Sequence, residues 1–454
     1  MRHHLDWSSY ATAGQGDAYA GIPATGGDFA RAVAVCISDR QCQRKPKGVM
    51  CPSFRVTDDP AHSPGGRVEV LKAALNGELG EAPFAGPELA AAMDLCVGCK
   101  GCKRECANQV DMAAMKIEAV AQRNAALGVP RRDRIFAGLP RWLVRRNLVR
   151  GLARLHNASA LVASLGERWL GIAARRRLPV PAPSAYTPPS PATHEATDRD
   201  VILFVDTFAR QFEPEIAEAA HAVLSAGGYR VRVLAPAPGD AEPRRDLCCG
   251  RTYLSLGQVE EARREARRLQ AALAPALASG TPIVGLEPSC ILSLRDDHLK
   301  LGLGQEAEAM AKQVYLFEEF IAREHDRKRL NLALKPLGGP RVMVHGHCHQ
   351  KAVGAMKSLR KTLRLVPELE FEFIEASCCG MAGHFGLEAE HADISLAMAE
   401  QDLLPALRAA PADTPVLANG FSCRHQILEG SGRKAVHAAL LLRDALAGNG
   451  AGLA

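Results

Sequence analysis

The segment PIVGLEPSC at residues 282–290 has a counterpart in PVLANGFSC at residues 415–423. Each is a short apolar run followed by a turn that ends in a cysteine. The runs VILFVD and RVMVHG form a second such pair, and YRVRVLAP and LEFEFIEA form a third. Short β-branched runs that alternate with helical patterns are typical of α/β domains. We therefore predict two α/β pseudo-repeats, over residues 199–335 and 336–454.

Cysteines follow the predicted strands of both repeats, at the carboxyl edge where open α/β sheets bind their ligands. Each repeat has one Cys-Cys-Gly (CCG) motif and one later cysteine. The second repeat adds a thiol in HGHCHQK, whereas the matching position of the first repeat is near Phe208. The seven thiols are Cys248, Cys249 and Cys290 in the first repeat and Cys348, Cys378, Cys379 and Cys423 in the second. The repeats are therefore chemically unequal.

A second group of cysteines precedes the repeats, in CVGCKGCKREC at residues 96–106. Its spacing is C-x2-C-x2-C-x3-C, from which three thiolates converge on one [4Fe–4S] cluster while the fourth cysteine binds another cluster. Zinc is the alternative, but structural zinc sites usually take pairs of ligands separated by longer loops. The spacing favours iron, and it predicts a helical, ferredoxin-type domain over residues 31–130.

The segment CISDRQC at residues 36–42 has the outer cysteines of the same signature, with Asp39 in place of the middle one. If the fourth ligands cross between clusters, Cys51 completes a [4Fe–4S] site with the first three cysteines of CVGCKGCKREC. The second site then has Cys36, Cys42 and Cys106. Asp39 either supplies its fourth ligand, in a labile [4Fe–4S] or a [3Fe–4S] cluster, or is a solvated loop residue beside an empty site.

Composition narrows the possible classes of protein. The chain has 454 residues, 47% of them hydrophobic, and it has neither a run long enough to cross a bilayer nor a secretory signal. Fourteen cysteines without such a signal indicate metal or redox chemistry in a reducing compartment, so we expect a cytoplasmic protein.

The net charge of +6 is concentrated in residues 131–180, which hold twelve arginines and two acidic residues. The segment RWLVRRNLVRGLARL places Leu143, Val149, Leu152 and Leu155 roughly on one helical face. We expect a basic amphipathic helix that packs on its own protein, with peripheral contact at the inner face of a membrane as the alternative. Nucleic acid is not expected, because no aromatic residues that could stack on bases accompany the charge.

The remaining boundaries follow from composition. Residues 1–30 are rich in glycine and alanine and are expected to be a poorly ordered tail. Residues 131–198 combine the basic helical segment with a proline-rich linker. The overall fold class is thus α+β, with a helical iron–sulfur domain followed by an α/β domain of two CCG pseudo-repeats.

Several motifs resemble the iron–sulfur half of bacterial flavin-linked D-2-hydroxyacid dehydrogenases of the D-2-hydroxyglutarate and D-lactate type. They are GVMCPSFRVTDDPAHSPGGR, DLCVGCKGCKRECANQVDMA, VGLEPSC, HGHCHQKA, CCGMAGHFGLEAEH and NGFSCRHQ. More distantly, the chain resembles the iron–sulfur subunits of glycolate oxidase and anaerobic glycerol-3-phosphate dehydrogenase, and the CCG-domain subunit of heterodisulfide reductase. The resemblance spans about residues 31–445. Ala107 stands where the family usually has a proline.

The resemblance implies an electron-transfer component beside a flavoprotein that oxidises a hydroxy acid. The chain has no phosphate-binding glycine-rich loop, so we expect FAD to be bound by a partner dehydrogenase subunit. Electrons would then pass to quinone or another acceptor, and the chain alone would not oxidise hydroxy acids. The alternative is a thiol–disulfide reductase of the heterodisulfide type, in which the CCG site performs the reaction.

The CCG cysteines do not match the five per repeat that bind the unusual cluster of heterodisulfide reductase. The four thiols of the second repeat can still bind one [4Fe–4S] cluster or another metal. Those of the first repeat either contribute to metal binding or are relics of a buried turn. Four histidines, His345, His347, His349 and His425, are expected at the same strand ends, where they indicate a metal or an anionic ligand.

Overall fold

A computed structural model of the chain describes residues 2–14, 21–45, 48–189 and 199–447. The part before the repeats is helical. Its helices are α1 (Gly27–Ala34), α2 (Pro52–Thr57), α3 (Pro64–Leu75), α4 (Pro87–Asp94), α5 (Gly101–Glu105), α6 (Met112–Leu127), α7 (Arg131–Ala137), α8 (Leu139–Trp142), α9 (Arg146–Ala158) and α10 (Ala160–Leu170). Short 3-10 helices lie at Ser8–Tyr10, Gln41–Gln43, Pro60–His62, Pro83–Ala85 and Leu143–Arg145.

The N-terminal segment differs from the expected poorly ordered tail. Trp7 is buried against Phe29, with ring centroids 4.9 Å apart. The carboxylate of Glu118 on α6 accepts hydrogen bonds from the indole of Trp7 at 3.2 Å and from the backbone of Leu5 at 2.8 Å. Composition alone could not reveal this contact, because its partners are more than 100 residues apart. Residues 15–20 of the expected tail, like residues 190–198 of the linker, lie outside the described residues.

The remainder is an α/β unit with two sheets. The first repeat has β1 (Asp200–Phe204), α11 (Thr207–Gln211), α12 (Pro214–Ala226), β2 (Arg230–Val233), α13 (Arg251–Ser255), α14 (Val259–Ser279), β3 (Ile283–Gly285), α15 (Pro288–Arg295), α16 (Gln305–Gln313), β4 (Val314–Leu316) and α17 (Phe317–Asp326). The second repeat has β5 (Val342–His345), α18 (Cys348–Ala352), α19 (Met356–Leu363), β6 (Phe371–Phe373), α20 (Ala392–Glu400), α21 (Leu403–Ala409), β7 (Val416–Ala418), α22 (Phe421–Ser431), β8 (Ala435–Val436) and α23 (Ala438–Asp444). Two more 3-10 helices lie at Asp297–Lys300 and Phe385–Leu387.

The two sheets have the same topology, in the orders β2-β1-β3-β4 and β6-β5-β7-β8, and every strand pair is parallel. A mixed α/β fold with two parallel sheets is therefore confirmed. The registers match as well, since Phe204 pairs with Gly285 and His345 pairs with Ala418. Because Gly285 and Ala418 each precede the later cysteine of their repeat by five residues, Phe204 is the counterpart of His345.

The repeats pack against each other through helices α12 and α23. One apolar core continues from Leu203 on β1 to Val344 on β5. The helical part shares a different core with the first repeat, in which Met115 on α6 packs with Leu254 on α13. The strand ends that carry the cysteines thus lie where the helical part and the two repeats pack together.

The basic segment differs from its prediction. Leu143 is buried, but Leu152 and Leu155 are exposed and Val149 is only half-buried. The side of α9 that faces the protein instead carries Ala153 and His156. Amphipathic spacing defines an apolar face but not what that face contacts, and here it points outward. Among the described residues, no helix is both long and apolar enough to cross a bilayer.

Candidate metal centre

The four cysteines assigned to the first cluster lie together. Cys51, Cys96, Cys99 and Cys102 line one cavity, together with the buried side chain of Arg67. Cys51 comes from the start of α2, whereas the other three come from the loop before α5 and from the first turn of that helix. Distant segments therefore converge as the crossing of ligands requires, although the identity of the bound group stays a prediction.

The loop between these cysteines depends on two glycines. Gly98 has a positive φ of 59°, a conformation that a residue without a Cβ adopts at little cost. A Cβ on Gly101 would lie only 3.0 Å from the backbone nitrogen of Met50, so this glycine allows the loop to approach the segment before Cys51. The amide of Gly101 also donates a hydrogen bond to the sulfur of Cys99. The loop thus directs the Gly101 amide toward the Cys99 thiol.

The electrostatics of the cavity suit anionic sulfur that is bound to a cation. Burial raises the pKa of Cys99 well above its usual value, and neighbouring thiols add to the shift, so free thiolates are unfavourable there. Arg67 is fully buried, with Nη1 3.6 Å from the sulfur of Cys51. Burial would lower the pKa of Arg67, yet the sulfurs of Cys96 and Cys51 hold it above its ordinary value. The residues fit an iron–sulfur cluster, because iron stabilises thiolates and the arginine offsets their remaining charge.

The second predicted set also shares a cavity. Cys36, Cys42, Cys106 and Asp39 line it. Asp39 is exposed, and its Oδ1 accepts a hydrogen bond from the amide of Gln41 at 3.1 Å. The carboxylate therefore stabilises the turn and also lies at the cavity, which leaves both predicted roles open.

Sequence reasoning missed one further carboxylate in this cavity. Glu69 on α3 lines the same cavity as the three thiols. It belongs to an ordinary helical run, PGGRVEVLK, so no spacing rule connects it with the cysteines. A fourth ligand, an oxygen beside the three thiols, can therefore come from either Asp39 or Glu69.

The thiols of the second repeat form a buried chain of contacts. Cys378 is hydrogen-bonded to Cys348 and to Cys379, and Cys379 is hydrogen-bonded to Cys423. The amide of Gly380 donates to the sulfur of Cys378 at 3.4 Å. This glycine has a φ of 84°, and a Cβ there would lie 2.1 Å from a backbone oxygen of α20, which explains the third letter of the motif. The four predicted thiols are thus brought together.

His345 joins this group, whereas the other three histidines do not. Its ligand atoms and those of Cys379 and Cys423 all lie within 4.8 Å of one another, and all three residues are buried. His345 Nδ1 has no hydrogen-bond partner among the described residues. A buried imidazole nitrogen without a partner is costly, and a metal ion would satisfy it. Imidazole nitrogen and thiolate sulfur are both donors that iron and zinc accept.

The remaining histidines have structural partners. His347 Nδ1 accepts a hydrogen bond from the amide of His349 at 3.1 Å and caps α18. His349 Nε2 is 3.1 Å from the carbonyl oxygen of Gly98. His425 Nε2 is 2.8 Å from the carbonyl oxygen of Arg177. Of the four histidines expected at these strand ends, His345 is therefore the one that remains a candidate ligand.

The first repeat retains the thiol geometry but lacks two donors. Cys249 is hydrogen-bonded to Cys248 and Cys290, and the amide of Gly250 donates to Cys248 at 3.3 Å. The matched sheet registers place Thr207 where the second repeat has Cys348, and Phe204 where it has His345. The first repeat thus offers three thiols without the fourth thiol or the imidazole.

The first cluster site adjoins the CCG site of the second repeat. Beyond the hydrogen bond from His349 to Gly98, the hydroxyl of Ser377 donates to the carbonyl oxygen of Val49 at 2.6 Å. Cys99 is also close enough to Cys378 for their charges to interact. Backbone on both sides of the interface is therefore fixed by direct hydrogen bonds, with no intervening domain.

A further acidic group nearby is already neutralised. Glu388, Glu390 and His391 could together bind a metal ion, but Arg132 lies 3.5 Å from Glu388 and 2.6 Å from Glu390. His391 Nε2 lies 2.9 Å from Asp94 of α4, and its Nδ1 lies 2.5 Å from Glu388. Although burial opposes it, hydrogen bonds to these two carboxylates raise the pKa of His391 to about 9. This group joins the helical part to the second repeat.

Comparison with known proteins supports an oxidoreductase-related role. The chain is 26% identical over 260 residues to a subunit of anaerobic glycerol-3-phosphate dehydrogenase of Escherichia coli, covering 57% of this chain and 62% of that protein. It is 26% identical to D-2-hydroxyglutarate dehydrogenase of Pseudomonas putida, covering 90% of this chain and 43% of that protein. It is 26% identical to lactate utilization protein A of Bacillus velezensis, covering 41% of this chain and 75% of that protein.

The predicted resemblance to dehydrogenase-associated iron–sulfur proteins is therefore confirmed at the level of relatives. The chain spans about three fifths of the first of these relatives and about two fifths of the second. No family model matches the chain, and no solved structure is significantly similar to it.

Proposed function

We propose that the chain is the iron–sulfur component through which a flavin-dependent D-2-hydroxyacid dehydrogenase passes electrons to a downstream acceptor such as quinone. The observation that carries the proposal is that the first cysteine site adjoins the CCG site of the second repeat, where His349 is hydrogen-bonded to the Gly98 carbonyl. A chain that only bound metal for stability would not need to bring two such groups together. The names of the relatives suggest D-2-hydroxyglutarate and lactate as the first substrates to test, the latter as the D-isomer because the proposed dehydrogenase acts on D-2-hydroxy acids.

Three metal sites follow in this proposal. The first, with Cys51, Cys96, Cys99 and Cys102, would hold a [4Fe–4S] cluster. The second, with Cys36, Cys42 and Cys106, would hold a [4Fe–4S] or [3Fe–4S] cluster with Asp39 or Glu69. The third, with Cys348, Cys378, Cys379, Cys423 and His345, would hold a cluster or another metal, while Cys248, Cys249 and Cys290 serve the fold. Bound clusters would supply reversible one-electron transfer.

The residues around these sites have defined tasks. Arg67 offsets the negative charge of the first site, and the Lys116 ammonium donates to the carbonyl oxygen of Cys96, which fixes the start of its loop. His349 holds the Gly98 carbonyl against the second repeat. Ser377 fixes the segment before Cys51 in the same way. A rigid interface of this kind keeps the distance between two redox groups constant, and all fourteen thiols are free, as we propose for a cytoplasmic protein.

The proposal predicts that the purified chain alone will not reduce a dye with D-2-hydroxyglutarate or D-lactate, because FAD is expected on the partner. When the flavoprotein that co-purifies with the tagged chain is added, substrate should bleach the cluster absorbance and dye reduction should begin. A His349→Ala variant should bind the same amount of iron but transfer electrons more slowly. Substrate-dependent dye reduction by the flavin-free chain would contradict the proposal.

A thiol–disulfide reductase is the second candidate, and one observation favours it. Hydrogen bonds from Cys348 and Cys379 hold the pKa of Cys378 well below its usual value, despite burial. A thiolate of this kind can attack a disulfide. Turnover of a small disulfide by the isolated chain, lost in Cys378→Ser, would support this function in place of electron relay.

Asp39 can be tested directly within the second site. Asp39→Cys should complete four thiolate ligands and hold four irons under mild oxidation, because thiolate is a stronger donor to iron than carboxylate. Wild type should lose one iron and give the spin signal of a three-iron cluster. Asp39→Ala should resemble oxidised wild type and be unable to regain the fourth iron.

Glu69→Gln is the matched control for this series, because Glu69 lines the same cavity from another helix. If Glu69 is the oxygen ligand, its variant, and not Asp39→Ala, will fail to regain the fourth iron. Identical iron content and spectra in wild type and both Asp39 variants would show that Asp39 only stabilises its turn.

A further inference from the structure

The basic segment exposes an unusual amount of apolar surface. Fifteen large hydrophobic side chains are exposed in the described part of the chain, and eight of them fall within residues 142–169. They are Trp142, Val144, Leu148, Leu152, Leu155, Leu161, Leu165 and Trp169. Single exposed hydrophobics are normal, but such a cluster on one segment marks an interaction surface.

These side chains are ordered in stripes by the helices. On α9, Leu148, Leu152 and Leu155 are spaced by four and three residues and therefore share one face. On α10, Leu161, Leu165 and Trp169 are spaced by four and four. The two helices contact each other.

Helix α9, which contacts α10, is also anchored to the rest of the protein. His156 Nε2 is 3.2 Å from the carbonyl oxygen of Arg176, and the side chain of Asn157 makes hydrogen bonds of 2.8 and 2.9 Å to the backbone of Leu178. Arg176 in turn reaches Gln426 and Glu429 on α22. The apolar stripes therefore point away from the protein, because the opposite sides of the helices already face it, with Ala153, His156 and Ala163 buried.

The charge of the segment is strongly positive and largely uncompensated. Arg145, Arg154 and Arg168 are exposed, and within the described ranges no acidic side chain pairs with them. Glu167 is the single acidic residue between positions 142 and 169, and its carboxylate accepts a hydrogen bond from the amide of Ala174 at 2.6 Å. A partner for this surface must therefore offer an apolar layer in which the leucines can be buried and negative charge near the arginines.

We propose that α9 and α10 dock the chain on the anionic surface of a phospholipid bilayer. Leucine stripes with tryptophan and free arginines are the composition of helices that lie in the plane of a membrane interface. The leucines and Trp169 would enter the acyl boundary, and the arginines would contact phosphate headgroups. Protein interfaces, in contrast, are depleted of charge at their apolar centre. Docking extends the proposed function but does not depend on it, since it requires no metal.

Co-sedimentation of the full chain with vesicles tests this proposal. Wild type should bind vesicles of phosphatidylglycerol and phosphatidylcholine, should bind pure phosphatidylcholine far more weakly, and should be released by salt. The triple variant Arg145→Gln, Arg154→Gln, Arg168→Gln should lose on the order of 100-fold in partitioning to the anionic vesicles. The triple variant Leu148→Ser, Leu152→Ser, Trp169→Ser should lose binding to both kinds of vesicle.

The matched control is Leu127→Ser, Leu299→Ser, Leu428→Ser, which removes three exposed leucines elsewhere and should bind vesicles as wild type does. All substituted side chains are exposed or charged, so circular dichroism and thermal unfolding should stay unchanged. Failure of wild type to sediment, or equal binding to neutral vesicles, would overturn the proposal. A concentration-dependent dimer that Leu152→Ser abolishes would instead assign the surface to a second copy of the chain.

Discussion

Replacing Cys99 with serine should remove about four iron atoms per chain, the content of one cubane cluster. A hydroxyl is a poor substitute for a thiolate, and Cys99 lies in the middle of the loop that directs three thiols into the cavity. Its sulfur accepts a hydrogen bond from the amide of Gly101, and the neighbouring Gly98 carbonyl is held by His349 of the second repeat. A replacement ligand from elsewhere cannot easily enter such a fixed loop.

Cys249→Ser is the control for this measurement. Cys249 is as buried as Cys99, but it belongs to the first repeat and does not line the cavity of the first site. Iron analysis and the visible absorbance of anaerobically purified protein compare the two variants. Full iron retention in Cys99→Ser, or equal loss in both variants, would contradict the assignment of the first cluster.

Replacing Lys100 with methionine should destabilise the protein by about 3–5 kcal/mol, the usual cost of leaving a buried charge without its partner. The Lys100 ammonium lies 2.6 Å from Asp297 and 2.8 Å from Asp296. Lys100 and Asp297 are almost fully buried, and they connect the loop of the first cluster to the first repeat. The midpoint of urea unfolding of wild type and variant measures the loss.

Lys361→Met is the matched control, since Lys361 forms an equally short ion pair with Asp326 at 2.6 Å, but both side chains are more than half exposed. It should change the free energy of unfolding by less than about 1 kcal/mol. The double variant Lys100→Met, Asp297→Asn should recover part of the loss, because the buried Asp297 charge is then removed and Asp296 keeps its ion pair with Lys103. Equal effects of Lys100→Met and Lys361→Met would show that the buried pair does not join the two parts.

The pH dependence provides a second check on this ion pair. Burial opposes ionisation of Asp297, but Lys100 and Arg251 hold its pKa below the ordinary value. Its contribution is therefore present above the carboxyl's unfolded pKa and is lost as the pH falls through the lower folded pKa. Wild type should lose more stability on acidification than the double variant, which lacks this carboxyl.

Much of the fold could be predicted from the sequence, because its strands are short β-branched runs followed by cysteines. The repeat in PIVGLEPSC and PVLANGFSC predicted two similar α/β units with cysteines after their strands, and the structure adds the strand order and register. The surface of the basic segment could not be predicted. Spacing identifies the face of Leu152 and Leu155, but only tertiary contacts such as that of His156 decide which face is buried.

The residues of the candidate site could also be predicted only in part, because tertiary packing decides some of them. Thiol spacing grouped Cys36, Cys42 and Cys106, and the structure places them around one cavity. Glu69 was missed, since it reaches that cavity through the packing of α3. Four histidines were expected at the same strand ends, but three of them have backbone partners, whereas the buried Nδ1 of His345 has none among the described residues.

The identical order of strands in the two sheets also bears on the history of the chain. Such a pair is the expected outcome of a gene duplication, after which the copies diverged. The copy with Phe204 and Thr207 has neither the imidazole nor the thiol that His345 and Cys348 carry in its sister. Next to these positions, Phe208 stacks on Phe421 of the sister copy, with ring centroids 4.8 Å apart. We expect a relative that branched off before the copies diverged to carry the same residue type at each pair of equivalent positions.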